Sequence, residues 1–104
     1  MTVYIATARI PYYEPAGVDA VAIFDRVAVH PTINYYNQRH EAGEWTITHL
    51  VSGRAIENRI PTPELALEFA ILFDTLPELD YHRKVARRSP RVRAIYDELR
   101  QRIR

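Results

Sequence analysis

The stretch Trp45-Thr46-Ile47-Thr48-His49-Leu50-Val51-Ser52-Gly53-Arg54-Ala55-Ile56-Glu57-Asn58-Arg59-Ile60, followed at once by Pro61-Thr62-Pro63-Glu64, decides the fold class. Trp45, Ile47, His49 and Val51 alternate with Thr46, Thr48 and Leu50, a period of two that belongs to a strand. Ser52-Gly53 is a turn dipeptide whose glycine can take positive φ, and Arg54 to Ile60 alternates again. A two-residue loop would set Trp45 opposite Ile60, Ile47 opposite Asn58 and His49 opposite Ile56. Thr46, Thr48, Glu57 and Arg59 would then share a wet face, as in a one-sided antiparallel sheet.

Thr62-Pro63-Glu64 carries an N-cap oxygen, a proline at the first helical position and an acid in the first turn, which together predict a helix from Thr62 to about Leu76. Leu65, Leu67, Phe69, Ile71, Leu72, Phe73 and Leu76 nearly encircle it, so it requires cover on most sides. The sheet supplies one side; a second helix or a second subunit must supply the other. Pro77 ends this helix, and Glu78 to Arg88 reads as a shorter one. Ser89-Pro90 repeats the cap-plus-proline start. The last helix sets Val92, Ile95, Tyr96, Leu99 and Ile103 on one face.

Toward the N-terminus, Thr2 to Ile10 is rich in β-branched and aromatic residues and reads as a first strand, with Pro11 to Gly17 as a loop. Between Val18 and Val29 helical and strand periods compete. The valines and Phe24 favour strand, with Pro31 closing the run. His30 to Glu44 is polar and reads as a long excursion from the scaffold. The expected fold is α+β in a single domain, 1–104. A three- to four-stranded antiparallel sheet is packed on one face by the central apolar helix, with C-terminal helices after it.

The chain has 104 residues, no cysteine and a formal charge of +1. Disulfides, thiolate nucleophiles and sulfur-ligated zinc are thereby excluded. No apolar run exceeds five residues, as in Phe69-Ala70-Ile71-Leu72-Phe73, which is too short to span a bilayer, and no secretory signal is visible at Met1-Thr2-Val3-Tyr4. A cytoplasmic protein without membrane contact is the expectation. The near-neutral charge conceals a division: residues 1–81 hold five Arg against eleven acids, and residues 82–104 hold nine basic residues against two acids. The balances are −6 and +7.

Arg83, Lys84, Arg87, Arg88, Arg91 and Arg93 therefore form a candidate site for nucleic acid or an acidic partner. In a helix, Arg83 with Arg87 and Lys84 with Arg88 are like-charged pairs that an anion would relieve, and the start of the last helix adds free N–H groups. Arg suits bidentate contact with phosphate or carboxylate. The opposing reading is that the acids of residues 1–81 neutralise this segment within the monomer or across a dimer. Arg100, Arg102 and Arg104 suit the negative end of the last helix dipole. Tyr12, Tyr13, Tyr35 and Tyr36 are candidate recognition aromatics on loops, against the alternative that one of each pair folds over a sheet edge.

His30, His40, His49 and His82 are dispersed, and His40-Glu41-Ala42-Gly43-Glu44 departs from the His-Glu-x-x-His zinc pattern. His49 falls on the apolar face of its strand and reads as a core histidine satisfied by a neighbour. No metal site or cofactor is expected. No glycine-rich phosphate loop or Gly-x-Ser-x-Gly elbow occurs, so no catalytic residue is assigned. A metal-independent ribonuclease built on His, Arg and Tyr is compatible with the composition, though no motif groups these residues.

Val27-Ala28-Val29-His30, Trp45-Thr46-Ile47-Thr48-His49, Ser52-Gly53-Arg54-Ala55-Ile56, and Thr62 with Ala66 resemble a unit of small uncharacterised phage and mobile-element proteins. The order strand, turn, strand, helix is also similar to the arm-type DNA-binding domain of tyrosine recombinases. The resemblance covers roughly residues 27–70 and carries no catalytic residue across. It implies a non-enzymatic accessory protein that acts by binding. The alternative is a protein–protein or homo-oligomeric module, a homodimer through residues 62–76 or the C-terminal helices, with the charge division used between subunits.

Overall fold

The structure, a computed structural model, describes residues 2–5, 16–33, 40–81 and 86–103, with side chains over 19–33, 43–81 and 86–103. Among the described residues six strands come first: β1 (Thr2–Ile5), β2 (Ala16–Asp19), β3 (Ala22–Ile23), β4 (Val27–Ile33), β5 (His40–His49) and β6 (Arg54–Ile60). Helix α1 (Pro63–Asp74), a 3₁₀ turn over Pro77–Asp80 and helix α2 (Pro90–Ile103) follow. The main sheet is four-stranded and antiparallel in the order β3-β4-β5-β6, and β1 pairs with β2 in a separate two-stranded sheet. The expected α+β architecture, an antiparallel sheet with a helix packed on it and a C-terminal helix after, is the one observed.

Helix α1 begins as its cap predicts. Thr62 is extended, and its Oγ1 accepts the Leu65 N–H at 3.2 Å, with Pro63 at the first helical position. Ala66, Phe69, Ala70 and Phe73 recur at the spacing of one helical face and are buried with Val27, Val29, Ile47 and Ile60 of the sheet. Helix α2 buries Val92 and Leu99, and Ile95, Tyr96 and Ile103 pack beside them, the face read from its period. The two helices touch each other on the same side of the sheet. Their cover is incomplete: Ile71 and Leu72 stay 55% and 40% exposed.

Several expectations are corrected. The stretch between Val18 and Val29 is extended as read, but it is split among β2, β3 and the start of β4, and Ala16 and Gly17 belong to β2 rather than to a loop. The excursion over residues 30–44 is much shorter than expected, because β4 continues to Ile33 and β5 begins at His40. Pro31 does not end its strand. Val29 and Val27 turn their carbonyls to Val21 and Phe24 on the β3 side. By strand alternation the nitrogen of residue 31 faces that same side, so its missing N–H removes nothing from the β4–β5 ladder. The register shifts just beyond it, between Pro31 and Ile33.

The β5–β6 turn is longer than Ser52-Gly53. Gly53, at φ 70°, donates its N–H to His49 O at 2.8 Å, closing a loop over residues 50–53. Trp45 does face Ile60, but two irregularities bring Ile47 opposite Glu57 and His49 opposite Arg54. Glu57 thereby joins the helix side, where it is buried. The opposite face is not wet either, for Thr46 and Thr48 are buried beside Ala28, His30 and Thr32. Arg59 alone of the four is exposed as expected.

This second face satisfies its polar groups internally. Pro31 O can only accept, so His30 Nδ1 donates to it at 2.8 Å and Nε2 accepts the Thr48 hydroxyl at 2.7 Å. Thr32 donates to Asn58 O at 2.9 Å, which leaves Thr46 to donate to Thr32 at 2.7 Å. Among the described residues no buried side-chain nitrogen or oxygen lacks a hydrogen-bond partner, as a stable interior requires.

Arg26, in the β3–β4 turn, ties the sheet to the far end of α1. Its backbone N–H and one guanidinium nitrogen bond Asp74 at 2.7 and 2.6 Å, the latter to the carbonyl oxygen, and its Nε meets Asp80 at 2.8 Å. Helix α1 has no basic residue in its last turn, so Arg26 brings a cation from another element to the negative helix end.

Candidate anion-binding cleft

The basic C-terminal segment separates into neutralised and open arginines. Arg91 makes a bidentate pair with Glu78, whose second contact is the Ser89 hydroxyl at 2.6 Å. The Arg91 guanidinium and then the Ser89 hydroxyl hold the Glu78 carboxyl well below its usual range, at about 2. The same bond raises Arg91. At the start of α2, Ser89 Oγ accepts the Val92 N–H at 3.4 Å, and Glu78 lies against that cap. The chain's own carboxylate thus sits where an external phosphate was expected.

Arg100 bonds Glu57 at 3.0 Å and Arg102 bonds Glu68 at 3.3 Å. These two suit the dipole of α2, as expected, but they also dock it onto β6 and α1. Arg102 further lies 5.8 Å from the ring centre of Phe69, and Arg100 lies 5.9 Å from that of Tyr96. Three of the four ion pairs among the described residues therefore join the basic tail to acids before residue 82. Along much of its length the charge division is closed inside the molecule.

Arg87, Arg88 and Arg93 behave differently. All three are exposed, and among the described residues their side chains make no hydrogen bond or ion pair. Arg87 and Arg88 lie in a turn closed by Ser89 N–H to Ala86 O at 3.1 Å, not in the interior of the expected helix. Arg83 and Lys84 of the candidate set fall outside the described residues, as do Tyr12, Tyr13, Tyr35 and Tyr36.

Between the tip of the β5–β6 hairpin and the start of α2 lies a cavity of about 190 Å³. Ile56, Leu79, Ala86 and Val92 form its apolar lining, Tyr96 is at one side, and Arg54, Arg87 and Arg93 contribute the cations. His49 also lines it with both ring nitrogens engaged: Nε2 donates to Leu79 O at 2.6 Å, and Nδ1 accepts the Ser52 hydroxyl at 3.0 Å. The core histidine satisfied by neighbours is thus as read. The ring nitrogens of His30 and His49 are engaged in internal bonds, and the side chains of His40 and His82 lie outside the described ones.

Arg54 and Tyr96 were not anticipated here. Arg54 follows the turn glycine directly, a position whose neighbours are set by how α2 docks. Tyr96 was read only as a core residue of its helix. Among the described residues no three His, Cys, Asp or Glu side chains group as metal ligands, and no helix is long and apolar enough to cross a membrane. No family model, curated protein or solved structure matches the chain.

Proposed function

We propose that the chain is a non-enzymatic nucleic-acid-binding accessory protein whose contact surface centres on Arg87, Arg88 and Arg93. The observation that carries this reading is the sorting of the basic segment. Arg91, Arg100 and Arg102 are neutralised by the chain's own acids, whereas these three arginines stay exposed without an ion pair among the described residues. Uncompensated like charges gathered around the start of α2 favour a polyanion, and guanidinium groups grip phosphate oxygens in pairs. The resemblance over residues 27–70 to phage and mobile-element proteins supports an accessory role.

The test is anisotropy of labelled single-stranded and duplex oligonucleotides at rising salt. Three phosphate contacts give a slope of about −2.7 in log affinity against log salt for duplex DNA. The variant Arg87→Glu/Arg88→Glu/Arg93→Glu should lose binding. Arg91 is left intact because it holds Glu78. No retention at low salt, or retention unchanged in the triple variant, would refute the reading, and binding only to acidic proteins would redirect it to that class of partner.

A second reading rests on Ile71 and Leu72, adjacent apolar side chains left open on α1. They favour self-association through residues 62–76. A strict monomer in sedimentation at micromolar concentration removes it.

A further inference from the structure

We infer that the cleft beside α2 is a binding site for a small organic anion, a carboxylate or phosphate ester on a compact apolar body. The inference stands whether or not the same arginines meet nucleic acid. Arg54 on β6, Arg87 in the turn before α2 and Arg93 on α2 come from three separate elements, yet the fold gathers them around one cavity. None has a counter-ion among the described residues. A ligand that carries negative charge would supply the counter-ion they lack.

The lining specifies the rest of the ligand. Ile56, Leu79, Ala86 and Val92 offer no hydrogen bond through their side chains. Of the two polar rings there, His49 is committed to Leu79 O and Ser52, and Tyr96 stands at one side. A hydrophilic body such as a nucleobase would bury polar edges against these four side chains without partners, which is unfavourable. An alkyl or aryl body loses nothing there. Size narrows it further: about 190 Å³ is below the roughly 300–1,000 Å³ of pockets that enclose a drug-sized ligand. One ring or a short acyl chain fits that limit, with its head at the guanidinium groups.

Phenyl phosphate and hexanoate are the probes, and inorganic phosphate and phenol are the controls for head and body alone. Titration is followed by ¹⁵N–¹H correlation spectra of the full chain. At least one probe should shift the amides of Ala86, Val92 and Arg93 saturably, with a Kd at least tenfold below that of either control, and the tighter probe identifies the head group. Arg54→Ala/Arg93→Ala, at two exposed positions, should weaken that binding tenfold or more while the rest of the spectrum stays native. The inference is overturned if inorganic phosphate binds as tightly as both probes, if the shifts map elsewhere, or if the double variant binds like the parent.

Discussion

Arg100, near the end of α2, donates a 3.0 Å bond to a Glu57 carboxylate oxygen that the bulged β6 strand has carried to the buried side of the sheet. The other Glu57 oxygen accepts the Asn58 N–H at 2.9 Å, so the carboxylate has a partner on each side. Removing the cation strands a buried negative charge, which costs more than removing the pair together. Arg100→Met should therefore lower the Tm more than the double variant Arg100→Met/Glu57→Gln. Thermal melts of the four-member cycle check this, and equal losses in both would show the pair to be inert.

Acid should loosen the contact between the 3₁₀ turn and α2. Arg91 and Ser89 lower the Glu78 carboxyl from 4.5 to about 2. Below pH 4.5 the unfolded chain takes up a proton that the native one refuses. The stability from this group is thus complete above that pH and is lost as pH falls toward 2. Urea midpoints measured across this window should fall more steeply for the parent than for Arg91→Met. Parallel curves would contradict the assignment.

The buried threonines should differ in cost. Thr32 both donates to Asn58 O and accepts from Thr46, whereas Thr46 loses only its own donation when replaced. Thr32→Val should destabilise by about 1–3 kcal/mol, because it leaves a carbonyl and a hydroxyl without their bonds. Thr46→Val should cost less. Chemical denaturation ranks them, and the reverse order would mean that the donor assignment is wrong.

On α1 the two sides should respond oppositely. Phe73 is fully buried, and Phe73→Ala should cost about 3–5 kcal/mol. Ile71, more than half exposed, should tolerate Ile71→Lys within about 0.5 kcal/mol, as substitutions at exposed positions do. Denaturant midpoints give both values, and a large loss at Ile71 would show that this face is covered in solution.

Helices were legible from the sequence where a local rule acts within one element. The Thr62 cap, Pro63 and the spacing of Phe69, Ala70 and Phe73 are all local, and so is the stripe from Val92 to Ile103. The hairpin was legible as a hairpin, but its register depends on the backbone of residues 50–53 and on irregularities in β6 that have no marker of their own. Pro31 misled because proline ends a ladder only when its nitrogen faces a pairing strand. The arginine cluster was visible as charge. Which members remain open depends on carboxylates 13 to 43 positions away, as Arg91–Glu78 and Arg100–Glu57 show. Arg54 joins Arg87 and Arg93 only through the docking of α2, which no spacing along the chain reveals.

Strand β4 has no exposed residue along its seven, and its partners β3 and β5 occupy the two sides. Val27 to His30 are at most 1% exposed, so solvent does not reach them in the closed fold. Amide protons from Val27 to His30 that are bonded in this sheet should therefore exchange with solvent deuterium only when the whole molecule opens. Their exchange free energy reports the global stability of the fold, against which the fraying of every other element can be measured.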